Sequence, residues 1–210
     1  MRPDIFFDPQ THTYLVDGQE VPSVTTILQP LSNRSYSSVN PSVLEYARNR
    51  GTVVHEALEL IDLDADPDIS PEIVPYLNAY EEWKSIYRPT FTDIEQIVYE
   101  DELGYIGTLD RAGYLNGNDF AIIDIKTSNP TKEALVSACA QTAAYATAYP
   151  NRINIDRYIL FLKSDGSWRF QSAMEYEKKY SFDGYSVFLK LLETHKMVSK
   201  LLNRKEKKSA

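Results

Sequence analysis

The stretch GYLNGNDFAIIDIKT, residues 113–127, constrains this chain more than any other. Two apolar runs flank an Asn-Gly-Asn turn, which predicts a β-hairpin. The second run then interrupts itself with Asp124 and Lys126, which share one face of a strand because they are two residues apart. If the turn is centred on Gly117, residues whose numbers sum to 234 face each other, and Asp110 lies opposite Asp124. Side chains so opposed are about 5 Å apart at Cβ, where like charges repel. A divalent cation between the two carboxylates removes the conflict, and hard oxygens suit Mg²⁺ or Mn²⁺. The inference depends on register: a two-residue loop without a bulge puts the acids on opposite faces. Lys126 could orient an attacking water or hold a phosphate oxygen, or simply pair with Asp124 or Asp110.

The hairpin sits within an alternating plan. Residues 5–21 read as an N-terminal hairpin turning near Asp8-Pro9, and PSVTTILQPL as a short helix ended by Pro30, followed by the loop-like LSNRSYSSV. Asn40-Pro41 opens a helix to about Leu60, with Asn as cap and Pro at the first helical position. Ser70-Pro71-Glu72 repeats that signal for a helix to about Tyr87. Residues 94–100, 105–115 and 119–127 read as strands. Thr131 caps a helix over 132–149, Ile155–Lys163 and Trp168–Gln171 are two more strands, and 180–203 is an amphipathic helix. This order predicts an α/β (α+β) fold with a central mixed β-sheet flanked by helices.

Length and composition fit that plan. The 210 residues suit one domain, with 43% apolar and 25% charged residues. The expected organisation is one domain over 1–210: leader 1–39, core 40–175, and C-terminal helix with basic tail 176–210. No apolar run is long enough to span a bilayer, and the first residues lack a secretory pattern. One cysteine, Cys139, excludes an internal disulfide and any cysteine-built zinc or iron–sulfur centre. A cytoplasmic setting is the default. The net charge of −8 argues against a protein that simply coats nucleic acid, but metal-binding carboxylates count as negative until the metal arrives. From Lys196 to Ala210 there are six Lys/Arg and one Glu, either a solvated helix end or an arm that touches phosphate.

GTLD at 107–110 followed by IIDIKTS at 122–128 resembles the core of the PD-(D/E)xK nuclease superfamily, in its RecB-like and lambda-exonuclease-like branch. RGTVVHEALE at 50–59 resembles that branch's upstream helix, IEQIVY at 94–99 its acid-bearing strand, and QTAAY at 141–145 its downstream Gln-x-x-x-Tyr motif. The softer match of THTYLVDGQEVPSVTTIL is to the leader of stand-alone, phage-type members.

The resemblance implies a restriction-endonuclease-like core. It implies Asp110 and Asp124 as metal-binding carboxylates, the Ile125 carbonyl as another ligand, and His55 as a further ligand or a group holding the site's geometry. Glu95 completes the site or is an exposed strand acid, and a packed helix histidine is the competing reading of His55. Lys126 would act on the attacking water. Gln141 and Tyr145 would position phosphate or brace the site, although Tyr145 could be core packing. Glu56 and Glu59 read as helix-face residues, and His12 and His195 as fold residues. Arg34, Arg48, Arg50 and the Lys132 region could bind phosphate, and exposed members of the 15 tyrosines could stack on bases.

The implied activity is a Mg²⁺-dependent deoxyribonuclease (Mn²⁺ as substitute), an exonuclease giving 5′-phosphate products in phage-type recombination or DNA repair. The implied partner is DNA, at ends or single strands, with no membrane. A homo-oligomer and a single-strand annealing or recombination protein stay open as partners. Rival readings are a structure-specific endonuclease of the same fold, a non-catalytic DNA-binding module, and a metal-free domain in which Asp-Ile-Lys is a chance ion pair.

Overall fold

The computed structural model describes residues 3–9, 11–36, 39–117, 119–150 and 154–206, with side chains described to residue 202 at the C-terminal end. The side chains of the basic tail from residue 203 and its backbone from residue 207, Ser37 and Ser38 of the polar stretch, and Asn118 of the hairpin turn lie outside what is described.

Among the described residues a five-stranded sheet runs in the order β4 (Thr90–Glu100), β5 (Tyr105–Leu115), β6 (Asp119–Lys126), β7 (Asp156–Leu162), β8 (Trp168–Ser172). Every pairing is antiparallel except β6–β7, which is parallel. A parallel pair needs a crossover, and α4 (Lys132–Ala148) supplies it. The mixed sheet flanked by helices is the architecture the sequence predicts.

Two helical layers cover the sheet. One face packs against α2 (Pro41–Asp62) and α3 (Val74–Tyr87) through Val54, Leu58, Tyr80, Trp83, Ile123 and Ile125. The other packs against α1 (Val24–Tyr36), α4 and α6 (Gly184–Glu206) through Ile27, Leu109, Ile122, Ala144 and Phe188. The helix α4 is apolar nearly all round, as a helix enclosed on every side must be. Its alanines let it lie close to the sheet, and Thr131 caps it by accepting from the Ala134 amide at 3.1 Å. A separate meander of β1 (Ile5–Asp8), β2 (Thr13–Val16) and β3 (Gln19–Val21) docks through Tyr14, Val16 and Ile106.

The hairpin register is the predicted one. Leu115 pairs with Asp119 and Arg111 with Ile123, each pair summing to 234, and Asn116 (φ 48°) and Gly117 (φ 78°) make the turn in the left-handed region.

Several boundaries differ from the sequence reading. Helix α1 continues through Pro30 to Tyr36. Losing one backbone hydrogen bond at an exposed position is outweighed by burying Val24, Ile27 and Leu28. Helix α3 begins at Val74, because Ser70 to Ile73 close a separate turn through the Ile73 amide and the Ser70 carbonyl, 3.1 Å apart. A further helix, which the sequence reading did not include, precedes the C-terminal one. Ser172 caps α5 (Ala173–Tyr180), Ser181 at φ 53° ends it, and α6 follows.

Candidate metal centre

The β5–β6 ladder stops one pair short of the two acids. Beyond Arg111–Ile123 the strands no longer pair, and Asp110 Oδ2 instead accepts from the Ile125 amide at 2.6 Å. Strand β6 continues to pair with β7 as far as Lys126–Phe161. Leu109 and Ala112, three residues apart, both pack in the α4-side core, so the alternation of β5 is interrupted at Asp110–Arg111. The interruption turns Asp110 toward α2.

His55 meets it there. Gly51, one turn earlier on α2, lies so close to β6 that a Cβ would stand 3.1 Å from Thr127 Oγ1. This approach brings His55 Nε2 to 3.1 Å from the Ile125 carbonyl oxygen. The other ring nitrogen, Nδ1, lies 3.8 Å from both Asp110 Oδ1 and Glu95 Oε1. Burial lowers the His55 pKa, but the charge of Asp110, with Glu95, outweighs it and holds it above the usual histidine range.

Glu95 reaches this point by an unusual backbone. It sits within β4 at φ 47°, a left-handed conformation that costs a non-glycine residue about 1–2 kcal/mol. Arg111 compensates: its Nη1 donates to Glu95 Oε1 at 2.9 Å and to the Asp110 carbonyl at 2.7 Å. Its Nε donates to Asp62 Oδ2 at 2.7 Å. Arg111 is 0% and Asp62 1% exposed at the side chain. Tyr80 and Lys84 also donate to Asp62, at 2.6 and 2.8 Å. Arg111, Asp62 and Tyr80 escaped the sequence reading. The available signal was an arginine immediately after Asp110, the two being the charged residues of an otherwise uncharged strand.

His55, Glu95 and Asp110 each offer a ligand atom within 4.8 Å of the others, a group that could hold a metal ion. Asp124 adjoins this group without belonging to it. Lys126 Nζ donates to its Oδ1 at 2.8 Å, and its buried Oδ2 has no hydrogen-bond partner among the described residues. Burial first, and the Asp110 charge second, raise its pKa to about 6, despite Lys126 pulling the other way. Lys126 also donates to Gln141 Oε1 at 3.0 Å, and Gln141 Nε2 donates to the Tyr145 hydroxyl at 3.2 Å. Tyr145 is fully buried and packs on Gly107, where a Cβ would stand 2.8 Å from its ring. The Ile125 carbonyl faces His55, so it braces the imidazole as well as facing the group.

His55, Glu95, Ile125 and Lys126 open on a cleft of about 970 Å³ that is also lined by Arg48, Arg50 and Lys163. Arg34 and Lys132 are not among its lining residues, and Lys132 Nζ lies over the Tyr180 ring at 5.9 Å. His12 lines the cleft mouth, and its ring meets Phe7 edge-on. Glu56 and Glu59 also line the cleft.

No family model and no curated protein matches the chain. Among solved structures it is similar to an alkaline exonuclease (LHK-Exo) from Laribacter hongkongensis, at 17% identity and a TM-score of 0.36, over 82% of this chain and 89% of that one. A likeness at that level leaves the chemistry to be argued from this chain's own residues. No helix among the described residues is long and apolar enough to cross a membrane.

Proposed function

We propose that the chain is a Mg²⁺-dependent deoxyribonuclease that hydrolyses phosphodiester bonds at DNA ends and leaves 5′-phosphate products. The observation that carries this reading is the buried, unpartnered Oδ2 of Asp124 beside the His55, Glu95 and Asp110 group, of which His55 and Glu95 line a cleft that also has Arg48, Arg50 and Lys163 in its walls. An orphaned buried carboxylate oxygen is costly unless a cation completes it. The donor set suits a hard or borderline divalent ion: carboxylates with one imidazole. His55, Glu95, Asp110 and Asp124 would hold it, with the Ile125 carbonyl as a further donor.

A divalent cation there supplies Lewis acidity toward the phosphoryl group and makes water a nucleophile at neutral pH. The protein's own groups do the rest. Lys126, fixed between Asp124 and Gln141, holds its charge at the cleft floor, where it orients the attacking water or a non-bridging phosphate oxygen. Gln141 and Tyr145 fix the ammonium's position. Arg48, Arg50 and Lys163 take the flanking phosphates. Water attacks in line and the 3′ oxygen departs, with no covalent protein intermediate. DNA recombination or repair is a setting such an activity fits.

Digestion of end-labelled linear duplex, single strand and closed circular DNA, with and without Mg²⁺, tests this. The expected result is metal-dependent release of 5′-phosphate nucleotides from ends, circles left intact, and no release by Asp124→Ala. Opened circles would establish an endonuclease instead. Absence of metal-dependent hydrolysis on every substrate would overturn the reading.

A further inference from the structure

We propose that a second cleft, between the N-terminal meander and α6, is a phosphate-binding tract for the same unpaired DNA strand whose scissile phosphate occupies the metal-centre cleft. This inference rests on the nucleic-acid reading of that centre.

The second cleft has a volume of about 870 Å³. Its basic side chains come from one face of α6: Lys196 and Lys200, with the His195 imidazole beside them. Its hydroxyls come from both walls, with Thr13 and Thr26 on one side and Ser199 on the other. Glu20 is the one carboxylate among the described lining residues. In a chain with 30 acidic and 22 basic residues, that local balance runs against the whole. Lysines, a histidine and hydroxyls with a single acid among them are what phosphate oxygens select.

The two clefts join. His12, at the turn between β1 and β2, lines both. Thr25 lines the metal-centre cleft and the adjacent Thr26 lines the second. The join is aromatic as well as polar: His12 packs edge-on against Phe7 and Tyr14, at centroid distances of 5.2 and 5.9 Å. The His12 ring is exposed above the buried Tyr14, and an exposed ring beside phosphate-binding groups receives a base of any sequence. We assign an unpaired strand as the occupant because the exposed His12 ring at the join offers stacking to bases, which a duplex keeps within its own stack. Lys196 donates to the Leu103 carbonyl, which anchors its ammonium at the cleft edge. Lys200 is exposed and sits one turn further along α6.

The test is equilibrium binding of fluorescent single-stranded oligodeoxynucleotides in EDTA, which prevents turnover. Two lengths are compared: about 4 nucleotides, enough for the metal-centre cleft alone, and about 12, enough for both. The 12-mer should bind wild type at least tenfold tighter than the 4-mer. Lys200→Glu should remove most of that advantage, and Lys200→Ala part of it, with 4-mer affinity unchanged. The salt dependence of 12-mer binding should fall by about one counterion in the alanine variant. Ser199→Cys carrying a photo-crosslinker should label the 12-mer and not the 4-mer.

Equal affinity for both lengths, or no change with Lys200→Glu, overturns the tract. Hydrolysis of the 4-mer in Mg²⁺ is measured separately. If it persists while the length dependence is absent, the tract fails and the nuclease reading stands. If length-dependent binding is present while no oligonucleotide is hydrolysed, the nuclease reading fails and the tract stands.

Discussion

Arg111 Nη1 lies 2.9 Å from Glu95 Oε1, so a fully buried guanidinium sets the position of a candidate metal ligand that is itself strained. The same guanidinium holds Asp62 at the end of α2. Removing one partner of such a buried pair leaves an uncompensated charge. Arg111→Met should therefore destabilise the protein by about 3–5 kcal/mol. Glu95→Gln keeps a hydrogen-bond acceptor for Arg111 and should leave the melting temperature within a few degrees of wild type. It should nevertheless weaken Mn²⁺ binding about tenfold or more in calorimetry. Unchanged Mn²⁺ affinity would remove Glu95 from the metal centre.

Asp124 gives the metal-free protein a characteristic response to pH. Its folded pKa is about 6 against 3.8 as a free group, so the folded state binds that proton more tightly than the unfolded state. The stability this contributes is fully present below pH 3.8 and is lost as pH rises through about 6. Asp124→Asn removes the titration. In EDTA the variant should gain stability over wild type as pH rises from about 4 to about 7, read as the difference in melting temperature between the two proteins. Saturating Mn²⁺ should reverse the order above neutrality, because a bound cation favours the ionised carboxylate.

His55 predicts the opposite limb of metal affinity. Its imidazole titrates above the usual histidine range because Asp110 and Glu95 outweigh burial. A protonated imidazole cannot ligate, so Mn²⁺ affinity should fall as pH drops through neutrality, by up to tenfold per unit once the ring is charged. His55→Gln should flatten that dependence. A pH profile identical in wild type and variant would assign His55 to packing alone.

Lys126 should separate chemistry from metal binding. Lys126→Met removes the ammonium that Asp124 and Gln141 hold. We expect kcat to fall about 10²–10³-fold with little change in Mn²⁺ affinity. Gln141→Ala should cost less, about tenfold. A Lys126→Met enzyme with wild-type turnover would make the lysine a surface ion pair and no more.

Gly107 tests whether Tyr145 braces the site. A Cβ there would stand 2.8 Å from the Tyr145 ring and 3.3 Å from Val24. Gly107→Ala should cost about 1–3 kcal/mol in urea unfolding, and it should lower turnover through displacement of the Tyr145–Gln141 pair. Tyr145→Phe keeps the packing and should leave stability nearly unchanged.

The sequence by itself determined the period of each element, the turn at Asn116–Gly117 and the register that follows from it. It also placed the capped starts of α2 and α4, because caps and turn residues act on their immediate neighbours. Strand spacing nominated Asp110, Asp124 and Lys126, and the resemblance of its motifs to a nuclease superfamily nominated His55, Glu95, Gln141 and Tyr145. Pairing alone set Asp110 against Asp124, whereas tertiary packing ended the ladder one pair earlier and gave the Asp110 carboxylate to the Ile125 amide. Only tertiary packing brought the end of α2 under Arg111, turned Glu95 into a left-handed conformation, and carried α1 past Pro30. These outcomes depend on desolvating a guanidinium and burying apolar side chains between layers, energies that exist only once distant segments meet and that local spacing cannot encode.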